Sequence, residues 1–291
     1  MNRVVARRRI VAAVLGGAGL APPAQPTGLT ATQTAATTVA LAWADAATNE
    51  TGYKVYRSTD NVTYTLIDTI AAGSTSYNAT SLTAGTTYYF KVAAYNGAGE
   101  TLSAAATVIC YLIKDLFTDA DATAITAHTP NINAPGNAWV NTSGTTTIQA
   151  NTAKSSGGVA SIDSGQAALT ITLDAIPASN GTLGIAFRLT DNTHYWLAGV
   201  GRDGTGRVKL NLWENDAGFT LRASQVHASV NYLAGTTYAL KVVYSGNDIV
   251  ATMPDLSLSA SYTSSFNNTA TKIGLRASDQ NDAFDNLLVY F

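Results

Sequence analysis

The stretch Leu82–Gly97, LTAGTTYYFKVAAYNG, has a counterpart about 150 positions later in Leu233–Gly246, LAGTTYALKVVYSG. Each writes Ala-Gly-Thr-Thr-Tyr, leaves two residues, and continues with Lys-Val. After the glycine both alternate, with Tyr88, Phe90 and Val92 on one side of the first copy and Tyr238, Leu240, Val242 and Tyr244 on one side of the second. Period-two alternation behind a glycine turn predicts a half-buried strand. The flanks differ: the first copy closes a run of about ten strand signals, whereas the second sits inside a longer, differently spaced series. Two sandwiches have met the same local need. A chain crossing from one sheet to the other needs a bend and a large ring to bury.

The 291 residues exceed the usual size of one domain, so two are expected. Charged residues make up 12%, about half the roughly 25% of ordinary soluble proteins, and Thr, Ser, Ala, Asn and Gly take their place. With 46% hydrophobic residues and few amphipathic helical patterns, the chain reads as all-β with real cores. A formal net charge of -2 gives no electrostatic footprint for nucleic acid. The single cysteine, Cys110, excludes an internal disulfide, and its place after Val108 and Ile109 predicts a buried thiol.

Residues 1–23 stand apart. Arg3, Arg7, Arg8 and Arg9 precede an apolar run from Ile10 to Leu20 that is too short to span a bilayer, which takes about 20 apolar residues. The outline is that of a secretory leader. Gly16, Gly17 and Gly19 interrupt the run, however, so the preferred reading is a basic anchor that docks into an assembly.

From residue 24 to 110 the order and spacing of five elements carry a family resemblance. Pro26, Leu29 and Ala31 open the segment, Trp43 lies in its second strand, GYKVYRS spans Gly52–Ser58, and Leu82 with Tyr88 occupies the corner. This segment resembles a fibronectin type III domain. The resemblance implies a sandwich acting as spacer or interaction platform, with Trp43, Tyr53, Tyr56 and Tyr88 as core rings. It assigns no chemistry.

After a linker at 111–114, residues 115–291 restart with DLFTDADATAITAHTP and end with FDNLLVYF. Between them, GIAFRLT, HYWLAGV, the turn GRDGTG and RVKLNLW resemble the concanavalin A-like lectin/glucanase superfamily, near its laminin-G-like branch. That resemblance implies a jelly-roll sandwich whose last strand pairs beside its first. The whole is expected to be two β-sandwiches in tandem.

Hydrolysis is not expected. Glycosidases need two carboxylates astride the scissile bond; the Glu-x-Asp-x-x-Glu strand of the glucanase branch is missing, and Glu214 is the only glutamate after Glu100. A binding face is expected instead. In RVKLNLW, Val208, Leu210 and Leu212 belong inside, which turns Lys209, Asn211 and Trp213 outward. Arg188, beside Phe187, is assigned to the same outward side. Trp196, with His194 and Tyr195, lies on the neighbouring strand, and Trp196 joins the candidate glycan contacts. Asp115, Asp119, Asp121 and Asp285 raise a structural calcium, although no complete Asp-x-Asp-x-Asp-Gly loop is present, and no metal ligand or other cofactor is assigned. His128 and His227 read as solvated.

The expectation is a non-enzymatic adhesion or decoration protein. Its preferred setting is a phage virion, where it would meet other virion proteins, copies of itself and host-surface glycans. The alternative is a secreted bacterial carbohydrate-binding or adhesion protein with a cleaved leader.

Overall fold

Alternation is realised first in β1 (Thr27–Ala35), β2 (Thr38–Ala44), β3 (Gly52–Ser58), β4 (Thr65–Ala71), β5 (Ser76–Ala79), β6 (Thr87–Asn96), β7 (Gly99–Leu102) and β8 (Ala106–Ile109). The computed structural model describes residues 20–291, so the arginines expected to anchor the N-terminus lie outside the described residues. Sheet β1-β2-β5 packs on β4-β3-β6-β7, with β8 joined to β6. Val39, Leu41 and Trp43 of β2 meet Tyr53 and Val55 of β3 and Tyr88, Phe90 and Val92 of β6 in a buried core. Tyr56 is the exception among the expected core rings: it is half-buried, and its hydroxyl donates to Glu100 at 2.9 Å. Cys110 is buried and free, and burial pushes its thiol up to about 11.

The second half contains β9 (Ile113–Asp115), β10 (Ile132–Asn133), β11 (Val140–Gln149), β12 (Thr152–Asp163), β13 (Leu169–Ile176), β14 (Leu183–Asp191) and β15 (His194–Arg202). It continues through β16 (Arg207–Asp216), β17 (Phe219–Asn231), β18 (Tyr238–Ser245), β19 (Asp248–Met253), β20 (Leu258–Thr263), β21 (Lys272–Ala277) and β22 (Ala283–Tyr290). Hydrogen bonding runs β17-β16-β15-β14-β21-β12 and on through β22-β13-β18-β19-β20. The path folds over at β12. Ala153 and Lys154 pair with β22 of one layer, while residues 158–163 pair with β21 of the other. Where one pairing gives way to the other, Gly157 and Gly158 take φ of 93° and 113°, a bend that a side chain would oppose.

The two layers then face each other. Ile185, Phe187, Trp196, Ala198 and Leu210 from one side meet Ile171, Leu240, Val242, Tyr244 and Ala251 from the other, all essentially inaccessible to water. The last strand lies beside the first: Leu287, Leu288 and Val289 oppose Asp115, Lys114 and Ile113.

The expected linker at 111–114 is not a free connection. Leu112 is part of the second core, and Ile113 and Lys114 already belong to β9. The junction is bonded as well. Gln33 Nε2 donates to the Tyr111 carbonyl at 3.1 Å, the Tyr111 N–H donates to Gln33 Oε1 at 3.0 Å, and the Phe291 N–H donates to the Gly85 carbonyl at 3.1 Å. Among the described residues no helix is long and apolar enough to cross a membrane.

Candidate functional site

Strand β16 turns its two faces as its alternation demands. Val208, Leu210 and Leu212 are fully buried between the layers, and Lys209, Asn211 and Trp213 point the other way. On β15, Trp196, Ala198 and Val200 face the core, which leaves Tyr195, Leu197, Gly199 and Gly201 on the outer face, in register with Asn215, Trp213, Asn211 and Lys209. Strands β14, β21 and β12 add Ala186, Leu189, Arg276 and Val159. This outer face is not a simple solvated one: Val159, Ala186, Leu189, Tyr195 and Leu197 form a second apolar cluster against which Trp213 packs.

At one end of that cluster lies a cleft of about 240 Å³ lined by Thr182, Leu197, Trp213, Phe219, Arg276 and Ser278. The half-buried indole of Trp213 meets the Phe219 ring edge-on at 6.2 Å, and Phe219, 46% exposed, leans edge-on against Tyr195 at 5.9 Å. Apolar walls here carry polar tips. The Ser278 hydroxyl accepts the Thr182 N–H at 2.8 Å and keeps its own proton to donate, and the Thr182 hydroxyl has no protein partner among the described residues. Next to Thr182, Asn211 is only 4% exposed, and its Oδ1 accepts no hydrogen bond.

Two residues expected on this face are elsewhere. Arg188 is 0% exposed because β14 carries a bulge there: Arg188 takes φ of 48°, the pairing register slips between Ala186 and Leu189, and the side chain turns inward beside Phe187. Its Nη1 and Nη2 donate to the carbonyls of Ser264 at 2.9 Å and Gly246 at 2.6 Å, and the guanidinium lies over Tyr244. It ties two loops of the opposite layer to the core. Trp196 is also 0% exposed, packs against Phe187 and Tyr262, and donates through Nε1 to the Phe266 carbonyl at 3.3 Å. It is a core residue.

Sequence reading missed Phe219, Arg276, Leu197, Thr182 and Ser278. For Arg276 the signal was present: in KIGLRA, Ile273 and Leu275 are core positions, so Gly274 and Arg276 face out by the alternation that exposed Trp213.

The acidic cluster is not a cation cage. His128, expected at the surface, is buried, and its Nε2 and Nδ1 bond Asp115 Oδ1 at 2.6 Å and Asp119 Oδ2 at 2.9 Å. Asp115 Oδ2 accepts from Trp139 Nε1 at 2.8 Å, and its Oδ1 accepts the Phe117 N–H at 2.9 Å. Burial alone would lower the imidazole's pKa. The two carboxylates outweigh it and raise it instead. Asp121 accepts the Ala150 N–H, and Asp285 stands opposite Asp174. No three His, Cys, Asp or Glu side chains among the described residues gather as a metal site.

Glu214 is not part of a carboxylate pair either. It turns to the inner side and bonds Arg222 at 2.6 Å.

The family model for the fibronectin type III domain matches residues 24–109, over the two sheets and the corner described above. Residues 24–109 are a fibronectin type III domain. An Fn3-like protein of Clostridium thermocellum is 39% identical across 30% of this chain and 92% of its own, with a TM-score of 0.26. Exoglucanase A of Cellulomonas fimi is 38% identical over 120 residues, which is 39% of this chain and 13% of that protein's length. The carbohydrate binding module CBM66 of Bacillus subtilis is 19% identical over 53% of this chain and 95% of its own, with a TM-score of 0.43.

Proposed function

We propose that the chain is a non-enzymatic carbohydrate-binding or adhesion protein, in which the fibronectin type III domain is a spacer and the second sandwich, of the concanavalin A-like kind, holds a glycan in the Trp213 cleft. One observation carries the reading: a half-buried indole and an exposed phenyl ring stand at right angles on the sheet, with the hydroxyls of Thr182 and Ser278 free to donate beside them. A pyranose presents an apolar face of C–H groups and a rim of hydroxyls. The aromatic walls suit the face, and Thr182 and Ser278 suit the rim, while Asn211 is buried behind them. No carboxylate lines the cleft, which favours binding over hydrolysis. The match to a protein named as an exoglucanase favours a secreted or cell-surface polysaccharide-binding setting. Nothing in the relatives named above favours a virion component.

The test is a polysaccharide panel with Trp213→Ala and Phe219→Ala. Each variant is expected to weaken binding at least about tenfold, or 1.4 kcal/mol. Phe219, being exposed, leaves the melting temperature nearly unchanged, so its loss of binding cannot be ascribed to unfolding. Unchanged binding in both variants sinks the cleft as the glycan site.

A further inference from the structure

Arg276 stands in the cleft with no carboxylate in direct contact, and only the buried Asp282 behind it feels its charge. In register it lies between Gly184 of β14 and Val159 of β12, so on the β14 side no side chain blocks it. The arginine reaches across to β15 and β17: its Nε donates to Tyr195 Oη at 3.2 Å, and the guanidinium carbon lies 5.8 Å from the Phe219 ring centre. These two contacts hold the fork in place at the cleft wall. Among the described residues no carboxylate pairs with it.

Asp282, which feels the charge of Arg276, and Asp279 spend their hydrogen bonds on other groups. Asp282 is fully buried and accepts the N–H groups of Ala178 at 2.9 Å and Asp279 at 3.2 Å, while Asp279 accepts the Ser179 hydroxyl. Nη1 is cut off from solvent and has no acceptor. A guanidinium that is partly desolvated, placed over a ring and without a carboxylate in direct contact is costly by itself. The cost is recovered when a planar anion meets the fork.

We propose that the glycan held in the Trp213 cleft is acidic, and that Arg276 binds the carboxylate of a uronic acid residue. This rests on the cleft being a glycan site. It adds that the bound sugar carries a charge at the end of the ring nearest Arg276, with its apolar face on Trp213 and its edge against Phe219. The carboxylate takes the N–H groups of Nη2, the one guanidinium nitrogen that is neither bonded to Tyr195 nor shut off from the cleft. The sugar hydroxyls take Ser278 and Thr182.

The experiment titrates the full chain with oligosaccharides of polyglucuronate, polygalacturonate and alginate, with the same oligosaccharides after reduction of each carboxyl to a primary alcohol, and with a sulfated neutral oligosaccharide. At least one uronide is expected to bind at least tenfold more tightly than its reduced form, with affinity falling as salt rises. Arg276→Gln should abolish that difference, whereas Phe219→Ala should weaken the acidic and the reduced form alike and keep their ratio. Arg276→Lys, which keeps charge but not the fork, should fall between. If reduced and acidic forms bind equally and both depend on Trp213, the cleft stands and the acidic assignment is overturned. Equal or tighter binding of the sulfated glycan overturns the carboxylate in favour of a sulfate ester. If no member of the panel binds, both readings fail together.

Discussion

In the first sandwich the Thr83 N–H donates to Tyr88 Oη at 3.0 Å, and in the second the Leu233 N–H donates to Tyr238 Oη at 2.9 Å. Gly85 and Gly235 sit at the same step of the turn with φ of 82° and 77°. Yet the surroundings share little. Gly85 is buried, donates to the Cys110 carbonyl and supports the terminal Phe291, whereas Gly235 is exposed and donates to the Pro177 carbonyl at 2.8 Å. Tyr88 packs beside Phe90, and Tyr238 lies flat on Tyr232 at 5.5 Å. Seven residues therefore suffice to specify the corner in two different sheet topologies. What each corner is used for comes from contacts far away in sequence: one is part of the joint between domains, the other only closes its own sheet.

The largest test separates the two sandwiches. Asp115 belongs to the second alone, and removing it leaves His128 Nε2 and Trp139 Nε1 buried without a partner, although His128 Nδ1 keeps Asp119. Asp115→Ala is expected to cost the second sandwich about 3–5 kcal/mol, as for one partner of a buried pair. Calorimetry should show its transition falling while that of the fibronectin type III domain moves little; a joint fall would mean that the Gly85 joint makes one cooperative unit. The same network has a pH sign. His128 has a raised pKa in the folded state, so its contribution is complete below the ordinary histidine value of about 6.5 and is lost as pH climbs through the raised one. Wild type should lose stability over that rise, and Asp115→Ala should lose much of the dependence.

How much of this was legible follows from particular residues. Strict alternation in RVKLNLW placed Trp213 and Asn211 outward, because β16 runs through those positions without slipping on its β15 side. In GIAFRLT the same reasoning put Arg188 outward, and one extra residue in the bulge reversed it. A bulge at an arginine has no signature in a single sequence, since glycine or asparagine is what a positive φ announces. The Asp115–His128 bond was hidden for another reason. Its partners are brought together by an irregular segment with no period to read. Phe219 reaches the cleft by leaning across from the start of β17, a placement set by packing.

A middle-sized effect distinguishes the two glycines. Alanine at either position must adopt a left-handed backbone, at about 1–2 kcal/mol. At Gly235 nothing else stands within 4 Å of a new methyl group, but at Gly85 it would run into the Phe291 ring. Gly85→Ala should therefore cost more than Gly235→Ala and should also loosen the joint, seen as faster amide exchange at Phe291. Equal costs with an undisturbed Phe291 would show that the joint does not depend on that seat.

The smallest effect tests the likeness itself. Tyr88→Phe and Tyr238→Phe each keep the ring and delete one hydrogen bond to a backbone amide. Both rings are about 5% exposed, so their packing is retained. The amides of Thr83 and Leu233 belong to exposed residues, and water can replace the lost acceptor. The cost is then that of a single exchanged hydrogen bond, about 0.5–1.5 kcal/mol, and not the larger penalty of a stranded buried donor. Because the bond length, ring burial and amide exposure agree between the two corners, the two losses should agree within about 0.5 kcal/mol, each read from its own domain's transition. A loss confined to one of them would mean that the shared residues set the shape of the corner without setting its strength, and that the neighbours, Phe90 in one case and Tyr232 in the other, decide how much the hydroxyl is worth.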